Sequence, residues 1–285
     1  MGEELKSIVT EQIIDNQQMR FASASPRSLQ IKTLDGVISI VMGVRRCGKS
    51  TLMETIMTRL VAQGTPRENI VWLNFSDDRF LSLHQGGWDT IHSVYYSMYP
   101  EKRHNEKVYF FFDEIQTYPN WELFVERLRR EENCEIYITG SSARMLSKEI
   151  GTALRGRTLS WELFPFSFGE YLIRCNPPRS KKSSNYRLLM QNAWERYKQE
   201  GGFPAVFGIE APLRRQLHQE YFNALLLRDI IERYDVRSPQ VLRHLSNRVI
   251  NGIGTLFSVR KVHEEIKALG YSLSRETITQ FLQWM

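Results

Sequence analysis

The sequence GVRRCGKS at residues 43–50 has the spacing of a phosphate-binding loop, G-x-x-x-x-G-K-S. The apolar run VISIVM precedes it at residues 37–42, and the helix-like run TLMETIMTRL follows at residues 51–60. Such a loop binds phosphate when it joins a strand to a helix, because its glycines let backbone N–H groups point inward and the helix dipole adds positive potential. The sequence therefore predicts that the chain binds a nucleoside triphosphate.

Two side chains of this loop have predicted roles of their own. Lys49 is expected to reach the β- and γ-phosphates, and the hydroxyl of Ser50 is expected to ligate Mg²⁺. The remaining contacts are expected from the loop backbone and the first helical turn, so the predicted nucleotide site comprises Gly43, Val44, Arg45, Arg46, Cys47, Gly48, Lys49, Ser50 and Thr51.

The run KVYFFFDE at residues 107–114 predicts a second strand that ends in two carboxylates. Unbroken apolar runs are typical of parallel strands that are buried on both faces. Beside the phosphate loop, Asp113 would hold Mg²⁺ directly or through water, and Glu114 would orient and deprotonate an attacking water. Acidic residues also simply end strands, but the position of this pair downstream of the phosphate loop favours a functional role. The carboxylate directly after the magnesium-binding aspartate favours water as the nucleophile, and so hydrolysis rather than transfer.

The run CEIYITGSS at residues 134–142 predicts a strand with small hydroxyl residues at its tip. Ser141 could contact the γ-phosphate or the water, or it could cap the helix that follows. The sequence leaves both alternatives open.

Several of these motifs, in this order, resemble a family of prokaryotic AAA-type ATP-binding proteins; the resemblance is carried by GVRRCGKST, FFFDEIQTYPNWELFVERL, ITGSSARMLSKEI, LRGR and ELFPFSFGEYL. It implies ATP and Mg²⁺ as ligands, Asp113 for magnesium, Glu114 for catalysis and Ser141 or Ser142 as a sensor. Farther along, the chain resembles the uncharacterised domain that follows the ATPase core in that family; this resemblance is carried by GGFP, LLLRDIIERYDVR and LFSVRKVHEEIKALGYSLSRETITQFL.

Arg155 and Arg157 lie in the LRGR motif, at the position of a later arginine of the family. Such an arginine neutralises transition-state charge in its own subunit or in a neighbouring one. The alternative is a surface ion pair, for example with Glu162. A role in a neighbouring subunit would require a homo-oligomer.

Composition and periodicity predict an α/β fold in two parts. Residues 1–175 are expected to form a P-loop NTPase (AAA+-like) core with a parallel sheet, and residues 176–285 a helical, winged-helix-like region. Strands are expected near 36–42, 69–75, 107–113, 134–139 and 158–163, and residues 176–185 are expected to be a linker. Three cysteines without metal-like pairing and no membrane-length apolar run predict a cytoplasmic protein without membrane contact. The net charge of +6 permits a polyanionic partner but does not require one.

The C-terminal residues predict a helix-turn-helix, with helices at 259–269 and 275–285 joined by GYSLS. The second helix could enter a DNA groove with Arg275, Thr277 or Gln280, or the module could pack against the core. The chain ends at Met285 before the hairpin of a winged helix would follow, so a shortened winged helix is the expectation.

The resulting hypothesis is an Mg²⁺-dependent AAA-type ATPase. Adenine is favoured because the guanine-specific Asn/Thr-Lys-x-Asp motif does not occur in the sequence. Two alternatives remain: an ATP-gated DNA-binding regulator with slow hydrolysis, and a P-loop kinase in which Arg155 and Arg157 act as lid residues.

Overall fold

The computed structural model of the protein describes residues 2–21, 24–85, 87–140, 154, 156–175 and 184–285. Residue contacts divide the chain into two compact units, one ending at Ile209 and one running from Glu210 to Met285.

The first unit contains a sheet of five strands: β1 (Ile38–Met42), β2 (Ile70–Asn74), β3 (Val108–Asp113), β4 (Cys134–Gly140) and β5 (Thr158–Glu162). Its described α-helices are α1 (Gly2–Gln18), α2 (Lys49–Ala62), α3 (Trp88–Met98), α4 (Trp121–Glu131), α5 (Phe168–Arg174) and α6 (Ser184–Glu200). All five strands lie where the apolar runs predict them, and the predicted α/β class is confirmed.

The sheet has the order β2-β3-β4-β1-β5, and every neighbouring pair is parallel. The chain leaves β1 for the distant edge strand β2, returns through β3 and β4, and then passes over β1 to β5. Strand β1 is therefore where the direction of winding changes. In open parallel sheets, ligands bind outside the carboxyl ends of the strands at such a point, and the loop at residues 43–48 lies there.

Alternating side chains place the core on both faces of the sheet. In β3, Phe110 and Phe112 pack with α1, α3 and α4, whereas Phe111 packs on the opposite face with α2. All three phenylalanines are fully buried. Burial on both faces explains why these strands read as unbroken apolar runs.

The first unit extends past residue 175 and includes α6. Aromatic side chains of α5 and α6 contact each other, with Phe168 5.0 Å from Trp194 and 5.5 Å from Tyr197 between ring centroids. The Tyr171 hydroxyl also donates to Glu200 at 3.0 Å. Of the expected linker, residues 176–183 lie outside the described residues, and Ser184 already begins α6. A domain division after residue 175 stays a prediction.

The second unit is helical, as expected. Helix α7 (Ala211–Ala224) continues as a π-helix over Leu225–Ile231 and ends with a last turn at Glu232–Tyr234. It is followed by α8 (Pro239–Asn251), α9 (Val259–Ala268) and α10 (Arg275–Trp284). One apolar core joins them; its fully buried members include Val241, Leu242, Leu245, Val262, Ile266 and Ile278.

No helix within the described ranges combines the length and the apolar content that crossing a bilayer requires.

Candidate functional site

The phosphate loop joins β1 directly to α2. Gly48 has a left-handed backbone (φ 102°) and precedes Lys49, the first residue of the helix. A glycine at this position has no side chain to compete for the N–H groups of the first helical turn, which with the helix dipole favour an anion. Val44 is half-buried, while Arg45, Arg46 and Thr51 are exposed.

Cys47 fills the space beneath this loop. Its side chain is completely buried, and its N–H donates to the Val44 carbonyl at 3.3 Å. Burial raises the pKa of the Cys47 thiol, so the thiol stays protonated. These contacts fit a small packing residue in the loop.

Lys49 is directed across the loop toward the end of β3. It is buried, and its ammonium donates to the carbonyls of Gly43 at 3.0 Å and Val44 at 3.4 Å. The same Nζ lies 3.3 Å from Oε1 of Glu114. The lysine of the loop and the predicted base thus share one site.

Asp113, the last residue of β3, is buried beside Ser50 and Thr139. The Thr139 hydroxyl donates to Asp113 Oδ1. Burial raises the pKa of Asp113, and hydrogen bonds from Ser50 and Thr139 partly oppose this rise because they stabilise the carboxylate. The predicted proximity of Asp113 and Ser50 is therefore present in the structure.

Glu114 follows in a left-handed conformation, with φ 55°. Its carboxylate accepts a hydrogen bond from Gln116 Nε2 at 2.5 Å on one oxygen and faces Lys49 on the other. Its backbone N–H donates to the Thr139 hydroxyl at 3.0 Å. The contacts of Glu114 with Gln116 and with Thr139 were not predicted, although the sequence shows an amide two residues after Glu114 and a hydroxyl near the end of β4.

The donors at this site suit Mg²⁺. A hydroxyl and a carboxylate are hard oxygen ligands, and Mg²⁺ is usually held by one or two carboxylates together with substrate phosphates and water. Within the described part of the chain, no group of three or more His, Cys, Asp or Glu side chains could hold a metal ion. Because their donors are a hydroxyl and a carboxylate, Ser50 and Asp113 fit a cation that is also held by the phosphates of a nucleotide.

Of the remaining predicted residues, the structure describes Arg157 and does not bring it to this site. Ser141, Ser142 and Arg155 lie outside the described residues. Arg157 precedes β5 by one residue, and its carbonyl accepts from the Ile38 N–H at the start of β1. Arg157 therefore lies at the amino ends of the strands, about 16 Å (the length of one strand) from the phosphate loop at their carboxyl ends.

A role for Arg157 at the nucleotide of its own subunit does not fit this position. The expected ion-pair partner was also wrong: Arg157 Nη1 lies 3.7 Å from Glu126, not near Glu162. Glu162 is the last residue of β5, so it lies at the carboxyl end of the strand, whereas Arg157 lies at its amino end.

In the second unit, the two predicted C-terminal helices are present. Ser274 caps α10 by accepting the Thr277 N–H at 3.2 Å, and His263 Nε2 donates to the Leu273 carbonyl at 3.0 Å, which fixes the turn. Arg275 and Gln280 are exposed, whereas Thr277 is half-buried.

Comparison with known families and curated proteins gives several matches. Residues 35–172 match an AAA domain, and residues 191–285 match a domain of unknown function, DUF8612. An uncharacterized protein of Methanocaldococcus jannaschii is 30% identical over 285 residues, covering 98% of this chain and 61% of the relative. One from Haemophilus influenzae is 31% identical over 256 residues, covering 89% of this chain and 61% of the relative. The chain thus spans about three fifths of the length of these relatives.

Similarities to solved structures are weak. Aeropyrum pernix ORC1 in complex with DNA aligns with a TM-score of 0.40 and 10% identity over 99% of this chain and 81% of that one. C. elegans PCH-2 aligns with a TM-score of 0.37 and 16% identity, covering 80% and 69%. AMPPCP-bound DnaA from Aquifex aeolicus aligns with a TM-score of 0.35 and 11% identity, covering 97% and 85%. By the family matches, residues 35–172 are similar to an AAA domain and residues 191–285 to a domain of unknown function.

Proposed function

We propose that the protein binds ATP and hydrolyses it in an Mg²⁺-dependent reaction, and that turnover is coupled to a conformational change or to assembly. The observation that carries this proposal is that four residues converge at the carboxyl ends of the strands: Lys49, Ser50, Asp113 and Glu114. The match to an AAA domain supports the same class of activity.

In this proposal the loop backbone and the Lys49 ammonium bind the phosphates. Ser50 and Asp113 would hold Mg²⁺, which when bound neutralises phosphate charge as the γ-phosphoryl group is transferred. Glu114 Oε1 lies 3.3 Å from Lys49 Nζ. A carboxylate so close to the phosphate-binding ammonium is within reach of a water that attacks the γ-phosphate, and it would orient that water and accept its proton.

A homo-oligomer is part of the proposal. The Arg157 side chain is half-exposed and lies at the amino ends of the strands, away from the phosphate loop. This position supports delivery of the arginine to the nucleotide of a neighbouring subunit. A rate per subunit that rises with protein concentration is the expected consequence.

We also propose a cytoplasmic location. The three cysteines are free thiols, and two of them, Cys47 and Cys134, are shielded from solvent to different degrees. Free thiols are typical of reducing compartments.

The test is phosphate release from Mg·ATP by the wild type, Lys49→Ala and Glu114→Gln, across a range of protein concentrations. We expect Lys49→Ala to lose ATP binding and turnover, and Glu114→Gln to bind ATP without releasing phosphate. Glu131→Gln serves as the matched control, because Glu131 is an exposed partner of Arg130 on the last turn of α4. Hydrolysis by Glu114→Gln at the wild-type rate would refute the role of Glu114. Transfer of phosphate to an acceptor by that variant would favour the kinase alternative.

The helix pair α9–α10 favours a second candidate, an ATP-gated DNA-binding regulator. The capped α10 presents Arg275 and Gln280 to solvent, as a recognition helix would. Duplex DNA titrations with and without ATP, at two salt concentrations, test this candidate. Binding that weakens with salt and changes with ATP supports it, and a replacement of Arg275 by Ala should weaken that binding. Binding that is equal with and without ATP would contradict gating.

A further inference from the structure

Thr139 lies next to the last residue of β4, the strand between β3 and β1 in the sheet. Its backbone is paired with Val41 of β1, just before the phosphate loop. The side chain is completely buried. Its hydroxyl therefore faces the site from the centre of the sheet and is shielded from bulk water.

This one hydroxyl contacts both carboxylate residues of the proposed reaction. It donates its proton to Asp113 Oδ1 and accepts the backbone N–H of Glu114 at 3.0 Å. A threonine hydroxyl has one donor and two acceptor positions, so both hydrogen bonds form at the same time.

Each contact constrains a different property of the site. The bond to Asp113 orients the carboxylate that also receives a hydrogen bond from Ser50. The bond to the Glu114 N–H holds the backbone of Glu114 at φ 55°, a conformation that residues other than glycine rarely adopt. The direction in which the Glu114 carboxylate leaves the chain depends on this conformation.

Packing alone does not require a hydroxyl at this position. Valine has the same branched shape and an equal or higher preference for strands. Several helical hydroxyls of the chain bond a carbonyl four residues earlier, as Ser246 does to Leu242 at 2.8 Å. Thr139 instead bonds the two residues at the end of β3.

We propose that Thr139 is a positioning residue that aligns the magnesium-binding carboxylate of Asp113 and the water-activating carboxylate of Glu114 together. The inference rests on the proposed ATPase function and adds to it a residue that touches neither the nucleotide nor the water. Its role differs from the one expected of Ser141, which was direct contact with the γ-phosphate or the water.

The experiment compares Thr139→Val, which removes the hydroxyl at constant shape, with Thr139→Ser, which keeps it. Ser39→Ala is the matched control, because Ser39 is a buried hydroxyl of β1 in the same sheet whose Oγ has no hydrogen-bond partner. For each variant, the affinity for a fluorescent ATP analogue is measured with and without Mg²⁺, and kcat and KM are measured by phosphate release. Thermal melts establish that each variant is folded.

We expect Thr139→Val to bind the analogue without Mg²⁺ as the wild type does. Its gain in affinity on adding Mg²⁺ and its kcat should each fall by about 10- to 100-fold, the usual effect of losing a residue that orients a metal ligand. Thr139→Ser should restore both quantities, and Ser39→Ala should match the wild type. Because the affinity without Mg²⁺ should stay at the wild-type value, this pattern differs from a general loss of structure.

A wild-type response to Mg²⁺ and a wild-type kcat in Thr139→Val would overturn the inference. So would a Thr139→Ser variant as defective as Thr139→Val, or a loss of affinity in Thr139→Val that is equal with and without Mg²⁺. If the wild type binds the Mg²⁺–analogue complex but releases no phosphate from ATP, the proposed hydrolysis fails. The binding measurements then still decide the role of Thr139 toward Asp113.

Discussion

At the level of single residues, close packing shapes the phosphate loop as much as hydrogen bonding does. A Cβ atom at Gly43 would lie 2.3 Å from the carbonyl oxygen of Leu163 and 2.8 Å from Sγ of Cys47. Leu163 is held in place, since its N–H donates to the Met42 carbonyl at 2.7 Å. The residue after β5 therefore limits which residue can begin the loop.

We expect Gly43→Ala to displace the loop and to impair nucleotide binding and turnover. A displacement of about 1 Å in a catalytic site costs on the order of 100-fold in rate. The measurements are kcat/KM for ATP and the Kd of an ATP analogue. Gly2→Ala is the control, because a Cβ there meets nothing within 4 Å. Equal kinetics of Gly43→Ala and the wild type would show that the loop tolerates the contact.

Glu170 illustrates how single hydrogen bonds link the segment before β1 to α5. Its buried carboxylate accepts the N–H groups of Ser28 at 2.7 Å and Ser167 at 2.9 Å, and it pairs with Arg27 at 3.4 Å. Burial alone would raise the pKa of Glu170, but these bonds outweigh it and hold the pKa below its ordinary value.

A depressed pKa in the folded state predicts a defined acid response. The stabilisation by Glu170 is fully present above the unfolded pKa of about 4.3 and is lost as the pH falls through the lower, folded value. We expect Glu170→Gln to be less stable than the wild type at pH 7 and to lose this part of the acid dependence. Urea unfolding between acidic and neutral pH measures it, with Glu131→Gln as the exposed control. Parallel stability–pH curves for the wild type and Glu170→Gln would contradict the assignment.

At the level of elements, α1 ends in a way that its own sequence does not explain. Its last turn contains no basic residue. Arg67, which precedes β2, instead donates to the carbonyls of Asn16 at 3.1 Å and Gln17 at 2.9 Å, and its guanidinium lies 4.1 Å from the centre of the Phe21 ring. A cation from a distant element thus satisfies the free carbonyls of the helix end.

We expect Arg67→Ala to lower the free energy of unfolding by about 1.5–3 kcal/mol, the range for hydrogen bonds that involve a charged group. Urea denaturation measures the change. The control is Arg130→Ala, whose exposed ion pair with Glu131 should contribute about 0–1 kcal/mol. A loss in Arg67→Ala no larger than that of Arg130→Ala would mean that water replaces the arginine at the helix end.

The elements differ in how far the sequence predicts them. Strands such as β3 were predictable because burial on both faces requires an unbroken apolar run, and Lys49 and Ser50 because motif spacing determines their place. The contacts of Thr139 with Asp113 and Glu114 depend on the register between β3 and β4, which pairs Phe112 with Ile138; periodicity contains no information on that register. The π-helix at residues 225–231 has the same apolar spacing as an α-helix, so its hydrogen bonding was not foreseen.

At the level of the whole molecule, the direction of the strands decides where an arginine can act. In a parallel sheet, all residues that precede a strand lie on the side where the strands begin, and Arg157 immediately precedes β5. The predicted strand at residues 158–163 already implied this position. The phosphate loop lies at the carboxyl ends of the strands, so a nucleotide bound there is out of reach of Arg157 of the same subunit.

The proposed delivery of Arg157 to a neighbouring subunit can be tested by a complementation experiment. Arg157→Ala alone should lose about 10³-fold or more in turnover, as expected for an arginine that stabilises phosphoryl transfer. Glu114→Gln alone should also be inactive. When the two are mixed in equal amounts, some Arg157→Ala subunits, which retain Glu114, gain a neighbour that supplies Arg157. With one supplying neighbour per site and random assembly, about a quarter of wild-type turnover should return.

The control mixes Arg157→Ala with the double variant Glu114→Gln/Arg157→Ala, in which no subunit carries the arginine. Phosphate release should stay at the level of Arg157→Ala alone. Recovery in the first mixture but not in the second establishes that Arg157 acts between subunits. No recovery in either mixture, with assembly verified by light scattering, would restrict Arg157 to its ion pair with Glu126 at 3.7 Å. The ATPase would then need no arginine from its neighbour at this position.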